Sequence, residues 1–150
     1  MKNKGITLIE LIVSMAIISI LATIILPLSR ISIKRAKELE LRENLRIIRN
    51  AIDEYKKYVD EGKIAKDAGD SGYPKSLEVL VEGVDLKEAV LKKKKFLRRI
   101  PRDPMTEDGE WGLRSYFDEP DSEIWGGEDV YDVYSKSKDV ALDGTRYNTW

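Results

Sequence analysis

The sequence predicts an α+β chain: a long N-terminal α-helix, membrane-spanning in its first half and amphipathic in its second, packed on a small antiparallel β-sheet head. Three observations carry that reading. Residues 6–28 form an apolar run containing a single acid, Glu10. Leu41, Leu45, Ile48, Ile52, Tyr55 and Val59 then recur at steps of four and three, the stripe of a 3.6-residue period. Near the C-terminus, residues 111–117 and 130–135 are rich in aromatic and β-branched side chains and bounded by Gly, Asp and Pro, which is strand chemistry.

The apolar run comes first. Its 23 residues would span about 34 Å as a helix, enough for a bilayer core. The hydroxyls of Thr7, Ser14, Ser19 and Thr23 can bond back to helix carbonyls and so hide their polarity. A cleaved secretory signal would have a shorter apolar region ending in small residues. A plain anchor has no need of Glu10, since an acid at mid-membrane costs about 2.5–3.5 kcal/mol, and less towards its edge. Pro27 removes one helix hydrogen bond and should kink or loosen the helix.

The amphipathic stripe carries the helix to about residue 61, roughly 80 Å in all, with breakers at Gly62 and at Gly69-Asp70-Ser71-Gly72. Glu38 and Arg42 are spaced as a favourable i,i+4 pair. A short helix is expected at 75–82, ended by Gly83, and a second helical patch at 85–95. That patch ends in four lysines, 92–95, which read as a solvated face or as a contact for phosphate or anionic lipid. With Arg98, Arg99 and Arg102 nearby, they could also meet the acidic third of a neighbouring subunit. Prolines at 101 and 104 make the next segment a rigid connector. Ile124-Trp125 is a candidate third strand piece.

Composition narrows the chemistry. The chain has 150 residues, 42% hydrophobic and 35% charged, with no cysteine and no histidine. Length suits one modest domain. Disulfides, cysteine or histidine metal sites and histidine acid–base catalysis are excluded. Net charge is −1 overall, but +1 over residues 1–29, +6 over 30–105 and −8 over 106–150. Bulk attraction to nucleic acid is therefore not implied. The acidic third reads as a solvated loop face or, more sharply, as a cation site made of carboxylates.

Lys4-Gly5-Ile6-Thr7-Leu8-Ile9-Glu10 resembles the prepilin motif of type IV pilins and type II secretion pseudopilins. The resemblance implies cleavage between Gly5 and Ile6 by a membrane peptidase, and N-methylation of Ile6, where the family usually has Phe. It implies three segments: a leader (1–5), a transmembrane and filament-core helix (6–29), and a periplasmic pilin-like head that includes the amphipathic half of the stem (30–150). Glu10 would be the mature chain's fifth residue, where the family keeps a glutamate, and Pro27 falls at the family's helix-bending proline. The chemistry is consistent with this. Cleavage exposes an α-amine of pKa about 7.7–8.0, and buried opposite charges need one another. Glu10 of one subunit can meet the Ile6 amine of the next and set axial register.

Two further segments resemble the major pseudopilin in particular. Residues 96–104, Phe-Leu-Arg-Arg-Ile-Pro-Arg-Asp-Pro, are similar to its linker, although Met105-Thr106 stands where Trp-Gly usually follows. Asp132-Val133-Tyr134-Ser135 is similar to the signature preceding its calcium loop and terminal tryptophan. The resemblance implies structural calcium held by Asp132, Ser135, Asp139 and Asp143. The other reading is a polar turn with Asx-type capping. No EF-hand pattern is present.

The expected function is a structural subunit, not an enzyme, that polymerises from the bacterial inner membrane into a periplasmic pseudopilus driving type II secretion. Its partners would be further copies, minor pseudopilins, the assembly platform, the prepilin peptidase/methyltransferase and, before assembly, the membrane. The alternative is a major type IV pilin of a surface filament. A third class, a membrane-anchored enzyme, would have to use carboxylates such as Asp118, Glu119, Asp121 and Glu123.

Overall fold

The computed structural model describes residues 5, 7–87 and 93–150, with the side chains of 24–28 outside the description. The chain divides into two compact units, Met1–Ala36 and Lys37–Trp150. Helix α1 runs over Leu8–Asp60 and passes through Pro27 without a break.

In the first unit every described side chain from Thr7 to Thr23 is exposed. Leu8 and Ile9 are each more than 70% exposed, and Ile12, Met15, Ile18 and Ile20 more than half. Apolar side chains pointing in all directions are the mark of a helix surrounded by other apolar matter. Three of the four predicted hydroxyls bond back one turn: Ser14 to the Glu10 carbonyl (2.6 Å), Ser19 to Met15 (2.8 Å) and Thr23 to Ser19 (2.9 Å). Among the described residues no helix is long and apolar enough to cross a membrane; the expected span, 6–28, includes Ile6 and five side chains that lie outside them.

In the second unit the predicted stripe is the core. Leu41, Leu45, Ile48, Ala51 and Ile52 of α1 are buried against Leu77, Leu80, Leu97, Trp111, Val130, Val133, Ala141 and Tyr147. Helix α2 (Leu77–Glu82) contributes Leu77 and Leu80 and ends at Gly83 with φ +84°, a conformation that favours glycine. A Cβ there would also press on the Lys94 carbonyl (2.8 Å).

The expected helical patch at 85–95 is corrected at its two ends. β1 (Val84–Asp85) pairs antiparallel with β2 (Lys93–Lys94), and residues 88–92 lie outside the description. Two residues per strand are too few to leave a periodicity in sequence. β3 (Trp111–Arg114) pairs antiparallel with β4 (Asp132–Ser135), matching Gly112 with Tyr134 and Leu113 with Val133. Both predicted strands are present but shorter than expected, and Ile124-Trp125 is not a strand. A single-turn 3-10 helix, Tyr147–Thr149, closes the chain. The head is thus α+β, with its sheets small and its loops long.

Candidate functional site

The processing segment sits at the start of α1. Gly5 is exposed, with open space around its Cα, as access by a peptidase requires. Ile6 lies outside the described residues. Thr7 and Glu10 cap the helix reciprocally. The Thr7 hydroxyl accepts from the Glu10 N–H (3.3 Å), and the Glu10 carboxylate accepts from the Thr7 N–H and hydroxyl (both 3.3 Å). This is a capping box, which satisfies two helix-end donors. Sequence reasoning missed it, although Thr-x-x-Glu before an apolar run is its signature. Within one chain Glu10 therefore closes its own helix end, and it stays exposed at the terminus where a new amine would appear. Pro27's side chain is outside the description.

In the head, the four residues expected to bind calcium are differently employed. Asp132 begins β4 and faces Arg49 of α1: Arg49 Nε donates to Asp132 Oδ1 (2.7 Å) and Nη2 to Oδ2 (3.3 Å). Arg114 stands 3.8 Å from Oδ2. The same Arg49 Nη2 donates to the carbonyls of Val133 (3.1 Å) and Trp150 (2.9 Å). One guanidinium thus joins the stem helix, β4 and the C-terminal residue. Ser135 is buried, and its hydroxyl accepts from the Ser137 N–H (3.2 Å). Asp139 is exposed, and its carbonyl takes the Tyr147 N–H.

Asp143 accepts from the Thr145 hydroxyl (2.6 Å) and N–H (3.0 Å) and from Arg42 (3.1 Å). The Thr145 hydrogen bonds first, and then Arg42, hold its carboxyl below the usual range. Among the described residues no three Asp, Glu, His or Cys side chains are grouped so as to hold a metal. Calcium wants six to eight oxygens around one point. With both Asp132 oxygens on Arg49, the residues as arranged do not fit it. Asp132 and Asp143 each hold a guanidinium instead, Arg49 and Arg42 respectively, a group whose planar fork matches a carboxylate.

The expected Glu38–Arg42 pair is also redirected. Glu38 accepts from the Leu142 N–H (2.8 Å) and the Tyr147 hydroxyl (2.9 Å). Burial, then that bond to Glu38, pushes the Tyr147 phenol well up. Arg42 lies 3.9 Å above the Trp150 ring. Both side chains hold the C-terminal loop.

Of the carboxylates weighed as catalytic, two have partners of their own. Asp118 accepts from the Ser115 and Gly126 N–H groups (2.7 and 3.0 Å), which lower its pKa. Glu123 takes Lys138 (2.8 Å) and Asn148 (3.1 Å), and Glu119 and Asp121 are exposed.

Comparison with known proteins finds the prokaryotic N-terminal methylation motif over residues 1–26. No curated protein matches the chain, and no solved structure does. The motif supports a type IV pilin-like protein, a membrane-anchored precursor of the kind that prepilin peptidase processes and that assembles into filaments.

Proposed function

We propose that this chain is a major pseudopilin, a structural subunit of a periplasmic filament that drives type II secretion. The observation that carries the filament reading is the methylation motif joined to a helix whose apolar side chains are exposed on every side. Those side chains need lipid before assembly and other copies of the helix after it. Residues 6–28 are the proposed span, with the head on the periplasmic side. Removal of residues 1–5 gives an N-methylated Ile6, whose amine pairs with Glu10 of a neighbour. The capping box favours this, because Glu10 is held at the helix end that the cut exposes. The 96–104 linker and a C-terminal loop closed without cysteine support pseudopilin over surface pilin. Minor pseudopilins, the assembly platform and the prepilin peptidase are the proposed partners.

Mass spectrometry of the mature chain tests the processing: the expected first residue is N-methylated Ile6, and an intact Met1 would overturn it. Glu10→Ala should abolish filaments while leaving the chain in the membrane; normal filaments would refute the pairing. Imaging at native expression should place the filament in the periplasm, whereas a surface filament would mean a type IV pilin.

A further inference from the structure

Four aromatic rings of the head lie together at its surface. Tyr73 and Tyr116 stack with centroids 5.6 Å apart, and Tyr131 meets both edge-on at 5.1 and 5.5 Å. Phe117 meets Tyr116 edge-on at 5.2 Å. Clusters of this kind usually lie inside a protein. Here Phe117 is 74% exposed, and Tyr116 and Tyr131 about half. Glu119, Asp121 and Glu128, on the loop that follows, are exposed and have no ion pair among the described residues. This is an apolar patch with a negative rim.

A second surface has the opposite character. Lys93, Lys95, Arg98 and Arg99 are exposed and have no ion pair among the described residues. Lys94, between them, turns inward to Glu54 (2.8 Å) and the rings of Tyr58 and Phe96 (5.3 and 5.5 Å). The helical wheel of α1 places the two surfaces. The aromatic cluster is joined to the side of α1 that carries Arg49 and Lys56, through Asp132 and Tyr73. The cationic segment is joined to the side that carries Glu54 and Tyr58. Arg49 and Tyr58 are nine residues apart, about half a turn round the helix. The surfaces therefore flank the core stripe from opposite sides.

We propose that these flanks dock on one another between copies: the aromatic, acidic flank of one head receives the cationic flank of the next. The inference rests on the filament reading and names the contact between heads that it requires. Complementarity is double. Carboxylates meet Lys and Arg, and exposed rings meet cations face-on, Arg best. The head already uses such stacking internally, with Arg114 4.2 Å above Tyr134 and Arg42 above Trp150. A two-fold dimer through either flank would set like charge against like, so the contact runs head to tail and stays open-ended, as a filament needs.

The cysteine-free sequence allows a direct test on the full-length chain. Phe117→Cys and Arg99→Cys variants are oxidised separately and mixed. A disulfide dimer is expected at least about fivefold more abundant in the mixture, because only there do Cβ atoms come within bridging distance. Equal yields in the mixture and alone would overturn the interface. Independently, Arg98→Glu with Arg99→Glu should cut filament yield about tenfold, the loss of two ion pairs with their ring contacts, with processing of the N-terminus unchanged. Copies carrying Glu119→Lys and Asp121→Lys should restore it. Reversed chains that assemble normally but no longer bind phosphatidylglycerol vesicles would overturn the interface in favour of a lipid contact. A wild-type chain that is never cut and never polymerises sinks the filament reading and this interface with it; wild-type filaments unaffected by the reversal sink the interface alone.

Discussion

Arg49→Ala is the most informative change in the head. The wild-type guanidinium makes four hydrogen bonds, two to Asp132 and one each to the carbonyls of Val133 and Trp150. A buried charge-assisted bond contributes about 1.5–3 kcal/mol, an exposed pair about 0–1. The Arg49 side chain is 38% exposed and that of Asp132 26%, so the contribution lies between the two. The carboxylate pair is worth about 1 kcal/mol and each carbonyl about half that, a total of about 2 kcal/mol. Asp132 keeps Arg114 nearby, so no charge is left alone and the cost goes no higher. For a unit of this size that lowers the Tm by about 4–10 °C. Circular dichroism of the full chain in detergent measures it. Arg49→Lys should recover less than half, since an ammonium cannot reproduce the fork. Chelator should leave the wild-type Tm unchanged. An Arg49→Ala chain that melts with the wild type, or a wild-type Tm that falls on chelation, would refute the assignment of the Arg49 guanidinium as the cation that Asp132 holds. The second result would return Asp132 to calcium.

Two further outcomes follow from the packing. Gly112→Ala should lower stability by about 1–3 kcal/mol, the usual cost of overpacking, because its Cβ would enter the Tyr134 ring across the strand pair; an unchanged melting curve would show that the ring moves aside freely. Alkaline pH should destabilise the head. The folded Tyr147 phenol titrates above its ordinary value of 10.0, so its contribution is complete below about pH 10 and is lost as pH rises through the folded value. Tyr55 and Tyr73 shift the same way through burial. Tyr147→Phe should therefore flatten the fall of Tm above pH 10 without abolishing it.

The long-period features were legible in the sequence and the short-range geometry was not. The stripe from Leu41 to Val59 became the core because a 3.6-residue period over five turns admits one buried face. The strands at 111–114 and 132–135 were legible from the aromatic residues of 111–117 and the aromatic and β-branched residues of 130–135. Residues 84–85 and 93–94 were not, because a two-residue ladder has no pattern to read. Glu38 and Arg42 looked like partners by spacing, yet each reaches a residue more than a hundred positions away. Arg49 escaped for the same reason, its carboxylate being 83 residues distant. Local rules count nearby partners, and tertiary closure overrides them whenever a loop returns with a better one. The capping box shows the reverse: its signal was local, but the unusual setting of Glu10 drew the reading towards assembly alone.

The closing contacts also explain how so loop-rich a head holds together without cysteine. Among the described residues its ladders are two and four residue pairs long, too little to be stable alone. What orders the loops is a set of polar side chains on both flanks of the α1 stripe. Glu38 and Arg42 take the segment 142–147, Asn44 takes the Arg102 carbonyl (3.0 Å), and Arg49 takes β4 with the terminal carbonyl. They lie beside the apolar stripe, so one helix supplies both the core and the acceptors and donors that loop backbone requires. Each tie spans more than fifty residues, and fixing so long a loop removes more chain entropy than a local bond would. Substitution of Glu38, Arg42 or Arg49 should therefore unfold the C-terminal loop before the core. Loss of Arg49 or Glu38 ought to open the segment 136–150 to limited proteolysis while the core still melts cooperatively; a segment as protected as in the wild type would mean that the loop is held by Tyr147 and Trp150 packing instead.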